Sequence, residues 1–539
     1  MPVCSQTEAT TTATEQPQKA DLCTIEGRVL RAVDGSPLKK AAVVALPVQR
    51  DDSNRKVQSA STDADGRFLI KDVPPGRYMV AASRAGFVRQ EYGERASQRG
   101  GTPLSVLAGQ QVKDIVFRMI PGAIVTGKVV DEDGEPVYQA SVMVQRWSFW
   151  QGKKQLMPDG YSSTNDLGEY RIAQLAPGRY LVQVTLSSFG ERPGSIPDTH
   201  EGYLPTFYPG VHDSGQAVAI DVKAGEEVNG INVRMAPAHA VRVRGTVKGP
   251  GVKSYGIGVM LSRKGQEFAD GSRFARVDEA GSFELTGVTP GKYVVSAASF
   301  ADNKRTSARL PIEVTDSDID NVALILSEGV DINGRVRVEG NLSLKDRRIR
   351  VTLSSDEGQG PWGSRMPGDV QDDLTFLVRN CEDGDYRVSV WGLPEDAYLK
   401  SASVGGHDVL ANEFTIKGPS KPLELVVSAN GGRVEGLVTD NKDKAFPGAR
   451  VVLVPEESKR ERRDLFKSGS TDQYGHFSLR GITPGTYVVY AWDSVEEGSY
   501  EDPDFLKQYT EMGKEIHVSE SSQLTADLKV IPTHPEEGN

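Results

Sequence analysis

One thirteen-residue sentence recurs along this chain: FLIKDVPPGRYMV at 68–80, YRIAQLAPGRYLV at 170–182, FELTGVTPGKYVV at 283–295 and FSLRGITPGTYVV at 477–489, with a worn copy, FLVRNCEDGDYRV, at 376–388. Its mechanical reading is a β-hairpin. Phe68 and Ile70 alternate with outward residues at the period of two that a half-buried strand requires. Pro75-Gly76 predicts a type II turn, in which proline presets φ and glycine takes the positive φ that follows. Tyr78 and Val80 then begin the returning strand on the inward face. A tyrosine just after such a corner predicts a tyrosine corner, its hydroxyl bonded back to nearby backbone. The same role falls to Tyr180, Tyr293, Tyr386 and Tyr487.

The register is strict. Phe68/Tyr78, Tyr170/Tyr180, Phe283/Tyr293, Phe376/Tyr386 and Phe477/Tyr487 are each ten residues apart. Upstream, each copy opens with a glycine on a first strand: Gly27, Gly127, Gly245, Gly334 and Gly436. The glycine-to-tyrosine distances are 51, 53, 48, 52 and 51 residues, and the tyrosine-to-tyrosine steps are 102, 113, 93 and 101. Such self-similarity marks a tandem array of units of about a hundred residues. Other turns repeat with it: DGSPLKKAAV (34–43), DGEPVYQASV (133–142) and KAFPGARVVL (444–453) early in a copy, then TDADGRF (62–68), TNDLGEY (164–170), DEAGSF (278–283) and TDQYGHF (471–477). Short strands with a turn signal every ten residues or so, and no amphipathic helix, predict sandwiches of about seven strands.

The expected fold is therefore all-β, a tandem array of five seven-stranded β-sandwiches. Its boundaries fall at 23–119, 120–236, 237–328, 329–429 (the divergent copy) and 430–532, with a flexible tether at 1–22 and a tail at 533–539. Length agrees, since 539 residues exceed what one core can organise. The 56 glycines sit beside valine-rich runs, as turns between strands do. Junctions such as FRMIPGAIVTGKVV (117–130) and LVVSANGGRVEGLV (425–438) carry no Ser/Gly tract, so successive domains are expected to stack end to end.

Glycine on the first strand, Gly-x-Pro-Leu, Ala-x-Val, Thr-x-x-x-Gly-x-Phe and Pro-Gly-x-Tyr together resemble the carboxypeptidase regulatory-like domain. The resemblance covers about residues 24–532, closest in copies 1, 2 and 5. It implies a transthyretin-like, Ig-like sandwich grouped with carbohydrate-binding-like folds. It also implies a non-catalytic role, because in metallocarboxypeptidases this domain accompanies a separate zinc peptidase domain. Chains with several such repeats resemble exported bacterial envelope proteins.

Chemistry is sparse. A zinc peptidase needs His-x-x-Glu, a distant third ligand and a large α/β domain; His517 and Glu520 match the pair and nothing remains to supply the domain. The acidic turns at 63–66 and 131–134 lack the ligand spacing of a calcium loop, and Asp-Gly suits a tight turn. No catalytic residue, metal ligand or cofactor is assigned, and the reading is of a protein that is not an enzyme. The net charge of −11 argues against nucleic acid as a partner. No run approaches the roughly 18 apolar residues of a membrane span. Three cysteines without CxxC spacing make no disulfide scaffold. The N-terminus shows no signal peptide. An exported location (periplasmic, outer-membrane associated or cell surface) then needs a leader upstream of the given start, and the alternative is cytoplasmic.

Two stretches exceed what a sandwich needs. QRWSFWQGKKQLMPDGYSS (145–163) places Trp147, Phe149, Trp150 and Tyr161 where a hairpin should be polar, and HEGYLPTFYPGVHDSG (200–215) carries Tyr203, Phe207 and Tyr208. Flat aromatics on loops over a rigid sandwich can stack on sugar rings. The alternative is that they cover a sheet edge or fill a seam against the first or third domain. The leading functional expectation is an extended scaffold, adhesion or binding protein of the bacterial envelope, with a polysaccharide or another envelope protein as partner. A carbohydrate-binding protein proper, using the copy 2 aromatics, and a non-catalytic companion of a separate peptidase are the alternatives.

Overall fold

The computed structural model describes residues 22–48, 57–94, 100–150, 152–186, 201–249, 257–264, 273–301, 304–345, 347–355 and 365–533. All of the expected tether but its last residue, and all of the tail but its first, lie outside the described residues. Regular structure among them is almost entirely β-strand. The chain forms two compact units, residues 1–95 with 100–119, and residues 96–99 with 120–539.

In the first unit, strand Cys23–Arg31 runs between Arg67–Val73, to which it is antiparallel, and Gln111–Met119, to which it is parallel. The facing sheet centres on Ala42–Pro47, paired with Gln58–Ser61 and with the tyrosine-bearing strand Gly76–Ser83. Ile25, Val29, Val43, Phe68, Ile70, Tyr78, Val80 and Phe117 fill the space between the sheets. Alternation in the sequence translates directly into this core, since every second residue of a strand faces the opposite sheet.

The second unit repeats that plan. Its opening strands Ala123–Val130, Val241–Lys248, Val330–Glu339 and Gly432–Thr439 are antiparallel to Glu169–Leu175, Ser282–Val288, Thr375–Cys381 and His476–Ile482. Each is also parallel to a late strand of its own repeat, at Val233–Arg234, Ile319–Ile325, Leu423–Ser428 and Leu528–Lys529. Each tyrosine sits in a hydrophobic cluster built from its own repeat. These are tandem β-sandwiches, and the parallel pairing of first with last strand makes the chain enter each at one end and leave at the other.

That pairing explains the first-strand glycines. A Cβ on Gly27, Gly127, Gly245 or Gly436 would stand 1.9, 2.0, 2.1 or 2.2 Å from the carbonyl oxygen of Ile115, Ile231, Val322 or Ala526, which lie on the parallel strand or, for Ile231 and Ala526, just ahead of it. On Gly334 it would stand 2.0 Å from the Phe376 ring. Only a residue without Cβ permits the approach.

The corner is built differently from a type II turn. Gly76, Gly291 and Gly384 have φ of 153°, 154° and 157°, close to extended and far from +80°. The left-handed residue lies four positions earlier, at Asp72, Gln174, Gly287, Asn380 and Gly481, with φ between 55° and 65°. Each of these five occupies the irregularity in register between the first strand and its antiparallel neighbour, which makes it a β-bulge. Beyond the bulge, the hydroxyls of Tyr78, Tyr180, Tyr293, Tyr386 and Tyr487 donate to the carbonyls of Pro74, Ala176, Thr289, Glu382 and Thr483 at 2.7–3.0 Å.

One element departs from the all-strand expectation. Helix α1, Pro503–Lys507, is capped by the Asp502 carboxylate on the Asp504 amide and flanked by 3₁₀ turns at Ser499–Glu501 and Thr510–Met512. It lies on the outer face of the last repeat's sheet. There Val452, Val454, Tyr490 and Trp492 form a second cluster with Tyr500, Leu506 and Tyr509. Trp492 stacks on Tyr490 with ring centroids 5.0 Å apart and meets Tyr509 edge-on at 5.5 Å.

Candidate functional site

The aromatic insertion of the second repeat is an outgrowth of two sandwich strands. Ser141–Trp150 pairs antiparallel with Lys153–Ser163 throughout, from Ser141 opposite Ser163 to Trp150 opposite Lys153. Only the first five of its residues also pair with the tyrosine-bearing strand Gly178–Thr185, so Arg146 onward projects past the sheet. A bulge between the Val144 and Gln145 pairings leaves Asp159 as the extra residue. Asp159 accepts a hydrogen bond from the Tyr180 hydroxyl at 2.9 Å and lies 3.7 Å from the Arg146 guanidinium. The base of the projection is thereby tied to the tyrosine corner.

Strand alternation then sorts the six candidate ligand-binding residues. Trp147 and Phe149 face one side of the ribbon, together with Tyr161, which pairs opposite Met143; Trp150 faces the other. Trp147 is 47% exposed, Trp150 40% and Tyr161 82%. Four residues of strand separate Trp147 from the Tyr161 level, about 13 Å. Phe149 is half-buried: its amide donates to a Glu496 carboxylate oxygen at 3.3 Å, and its Cβ lies 3.5 Å from the Cβ position of Gly498. Tyr203 and Tyr208 are not brought to this ribbon. Both pack partly buried against the second repeat's core, and the Tyr203 hydroxyl donates to the Glu132 carboxylate at 2.9 Å. Phe207 is 4% exposed and serves packing.

The seam on which Phe149 rests belongs to the fifth repeat, not to the first or third as the sequence suggested. The physical reason is length: the pairing past Gln145 carries Phe149 beyond its own sheet and onto the turn ahead of α1.

Other motifs resolve into structure. Asp63 Oδ1 accepts from the amides of Asp65 and Arg67 at 2.9 and 2.8 Å, and Asp131 Oδ1 from those of Asp133 and Glu135 at 3.0 and 2.8 Å, so each acidic turn ties its own loop. His517 Nδ1 lies 3.3 Å from Thr486 Oγ1, while Glu520 accepts from Lys400 and Tyr398 at 2.8 and 3.1 Å. Those bonds hold the Glu520 carboxyl below its ordinary range, the Lys400 contribution being larger. Burial pushes the Cys381 thiol up to about 12 and so keeps it protonated.

Sequence reasoning missed three threonines that link the recurring turns. Thr62, Thr164 and Thr471 accept from the amides of Ala41, Ala140 and Ala449 and donate to the carbonyls of Leu38, Val137 and Phe446. Their constant place before the Asp/Asn-x-x-Gly turn was the available signal.

Comparison with known proteins agrees with this architecture. Residues 24–119 and 124–236 each match the carboxypeptidase regulatory-like domain. The human BOS complex subunit NOMO3 is 24% identical over 255 residues, 45% of this chain and 20% of its own length. Mouse BOS complex subunit NOMO1 is 24% identical over 224 residues, 39% of this chain and 17% of its own length. The chain thus spans about a fifth of the curated relatives it matches. Among solved structures, the minor pilin GBS52 of Streptococcus agalactiae aligns at 16% identity and TM-score 0.22, covering 40% of this chain and 95% of the pilin. The major pilin subunit BcpA of Bacillus cereus aligns at 11% identity and TM-score 0.14, covering 57% of this chain and all of the pilin. Among the described residues no helix is long and apolar enough to cross a membrane.

Proposed function

We propose that this chain is a non-enzymatic scaffold and binding protein of the bacterial envelope, built of five sandwiches with the boundaries given above and working outside the cytoplasm. The observation that carries the reading is how the motif residues are spent. The first-strand glycines and corner tyrosines of every repeat, and the linking threonines of three of them, serve to hold sheet to sheet or loop to strand. Repeats also meet one another directly: strand Glu201–Tyr203 pairs with Pro237–His239, and Arg480 bridges Glu395 and Asp396 at 3.2 and 3.3 Å. Such a chain supports surfaces for contact and presents them on loops. Cell fractionation with an antibody to the chain tests the location. Recovery in the envelope fraction is expected, and recovery in the cytosol alone would overturn it.

The exposure of Trp147, Trp150 and Tyr161 on the projecting ribbon favours a second reading, in which the second repeat binds a polysaccharide by ring stacking. Because Trp147 and Trp150 face opposite sides, one of them dominates the contact. Retention of the intact chain on immobilised cell-wall polysaccharide is expected to fall with one single alanine variant and little with the other, with the melting temperature unchanged. Equal retention by parent, Trp147→Ala and Trp150→Ala would remove this reading.

A further inference from the structure

Phe149 and Gly152 reach the turn ahead of α1, more than 300 residues along the chain. We propose that this end of the second repeat is a clasp: it seats reversibly on residues 496–501 of the fifth repeat, and it comes off without unfolding either sandwich.

The seat is shaped for it. Gly498, at φ 84°, turns its bare Cα toward Phe149, whose carbonyl oxygen and Cβ would be 3.3 and 3.5 Å from a Cβ there, and Gly152 lies as close to Glu501, whose carbonyl oxygen would be 3.1 Å from a Cβ. On either side a Cβ would stand 3.1 to 3.3 Å from the facing backbone oxygen, so the two backbones meet at contact distance with room for a small side chain. Charge favours the approach at longer range: Lys153 and Lys154 follow Gly152, and of the acids around Gly498, Glu497 pairs with Arg450 and Glu501 with Arg463, while Glu496 takes the Phe149 amide.

The contact is also thin. Its hydrogen bond, from the Phe149 amide to Glu496, is at the long end of the range at 3.3 Å. Among the described residues no hydrophobic cluster spans it: the second repeat's cluster runs from Ala123 to Met235, and the two clusters of the fifth repeat run from Val434 to Ile531. A free encounter of such small surfaces would be weak. Here the encounter is intramolecular. The second repeat meets the third through Glu201–Tyr203 on Pro237–His239, the third meets the fourth through Ser307 and Arg305 on Glu382, and the fourth meets the fifth through Lys400 on Glu520. These seams hold the two surfaces at high effective concentration, which closes a weak contact and leaves it free to open. Opening uncovers Phe149 beside Trp147 and breaks no core.

The 3.5 Å between the Phe149 Cβ and the Gly498 Cβ position falls in the range a disulfide spans. The test is the full chain carrying Phe149→Cys and Gly498→Cys with Cys4→Ser; Cys23 and Cys381 are buried. Under mild oxidation, peptide mapping is expected to find an intramolecular 149–498 disulfide in most molecules, and little with Trp150→Cys in place of Phe149→Cys. Maleimide labelling of Gly498→Cys alone is expected to accelerate several-fold when Phe149→Ala is added or salt is raised from about 0.05 to 0.5 M, with melting temperature unchanged. Cysteines that both react with maleimide yet form no disulfide would overturn the seat. A labelling rate indifferent to both perturbations would overturn the clasp.

Discussion

Replacing Gly127 with alanine isolates the feature that ties first strand to last. The added Cβ would lie 2.0 Å from the Ile231 carbonyl oxygen, 2.6 Å from its carbon and 2.9 Å from the Tyr170 ring. Real Cβ contacts stop near 3 Å, so the late strand must retreat by about 1 Å. Two hydrogen bonds stand in the way. The Tyr170 hydroxyl donates to that same carbonyl at 2.7 Å, in a buried setting, and the Ile231 amide donates to Thr126 at 3.1 Å. Losing them costs about 0.5–1.5 kcal/mol each, and the overpacked contact adds about 1–3 kcal/mol. The expected destabilisation of the second repeat is about 2–6 kcal/mol, or about 10 °C or more in Tm for a domain of this size. Gly215 is the control, because a Cβ there meets nothing closer than 3.4 Å, and Gly215→Ala should stay within about 0.5 kcal/mol of the parent. Differential scanning calorimetry of both variants reads the difference. A Gly127→Ala chain melting within 2 °C of the parent would refute the close-approach explanation of the repeated glycine.

Two further outcomes are expected. Tyr293→Phe removes the bond to the Thr289 carbonyl and should destabilise its repeat by about 1–2 kcal/mol, while Tyr180→Phe, which also loses Asp159, should cost more; parent-like melting of both would dismiss the corner as a stabilising device. At the seam between fourth and fifth repeats, the Glu520 carboxyl is held low by Lys400 and Tyr398, so its contribution is complete above the ordinary carboxylate range and is lost as pH falls through the lowered value. The protection factor of the Gly431 amide, bonded to the Asp396 carbonyl at 2.9 Å in the same seam, should fall on acidification once the intrinsic exchange rate is divided out, and lose that dependence in Glu520→Gln.

The parts of the fold legible in the sequence were those carried by residue identity at fixed spacing. Phe68 and Tyr78, the opening glycines and the Asp-x-x-Gly turns each need one residue type for one local reason, so their recurrence displayed the architecture. The bulge stayed hidden because backbone geometry, not side-chain type, defines it: Asp72, Gln174, Gly287, Asn380 and Gly481 share a left-handed φ and little else. Helix α1 was missed for its brevity, although Asp502-Pro503 is a capping signal with proline at the first helical position. At the candidate site, the aromatic excess of 145–163 was visible, but which side of the ribbon each ring takes depends on pairing and on the bulge at Asp159. The seat at 496–501 could not be read at all, because it joins surfaces made by separate domains.

The central claim is that every repeat owns its core. Calorimetry of the intact chain tests it most directly, through the ratio of van't Hoff to calorimetric enthalpy. Independent cores predict a broad or multi-peaked transition with a ratio well below one. A single sharp transition with a ratio near one would contradict the account, because it would mean that one cooperative core runs through the whole chain.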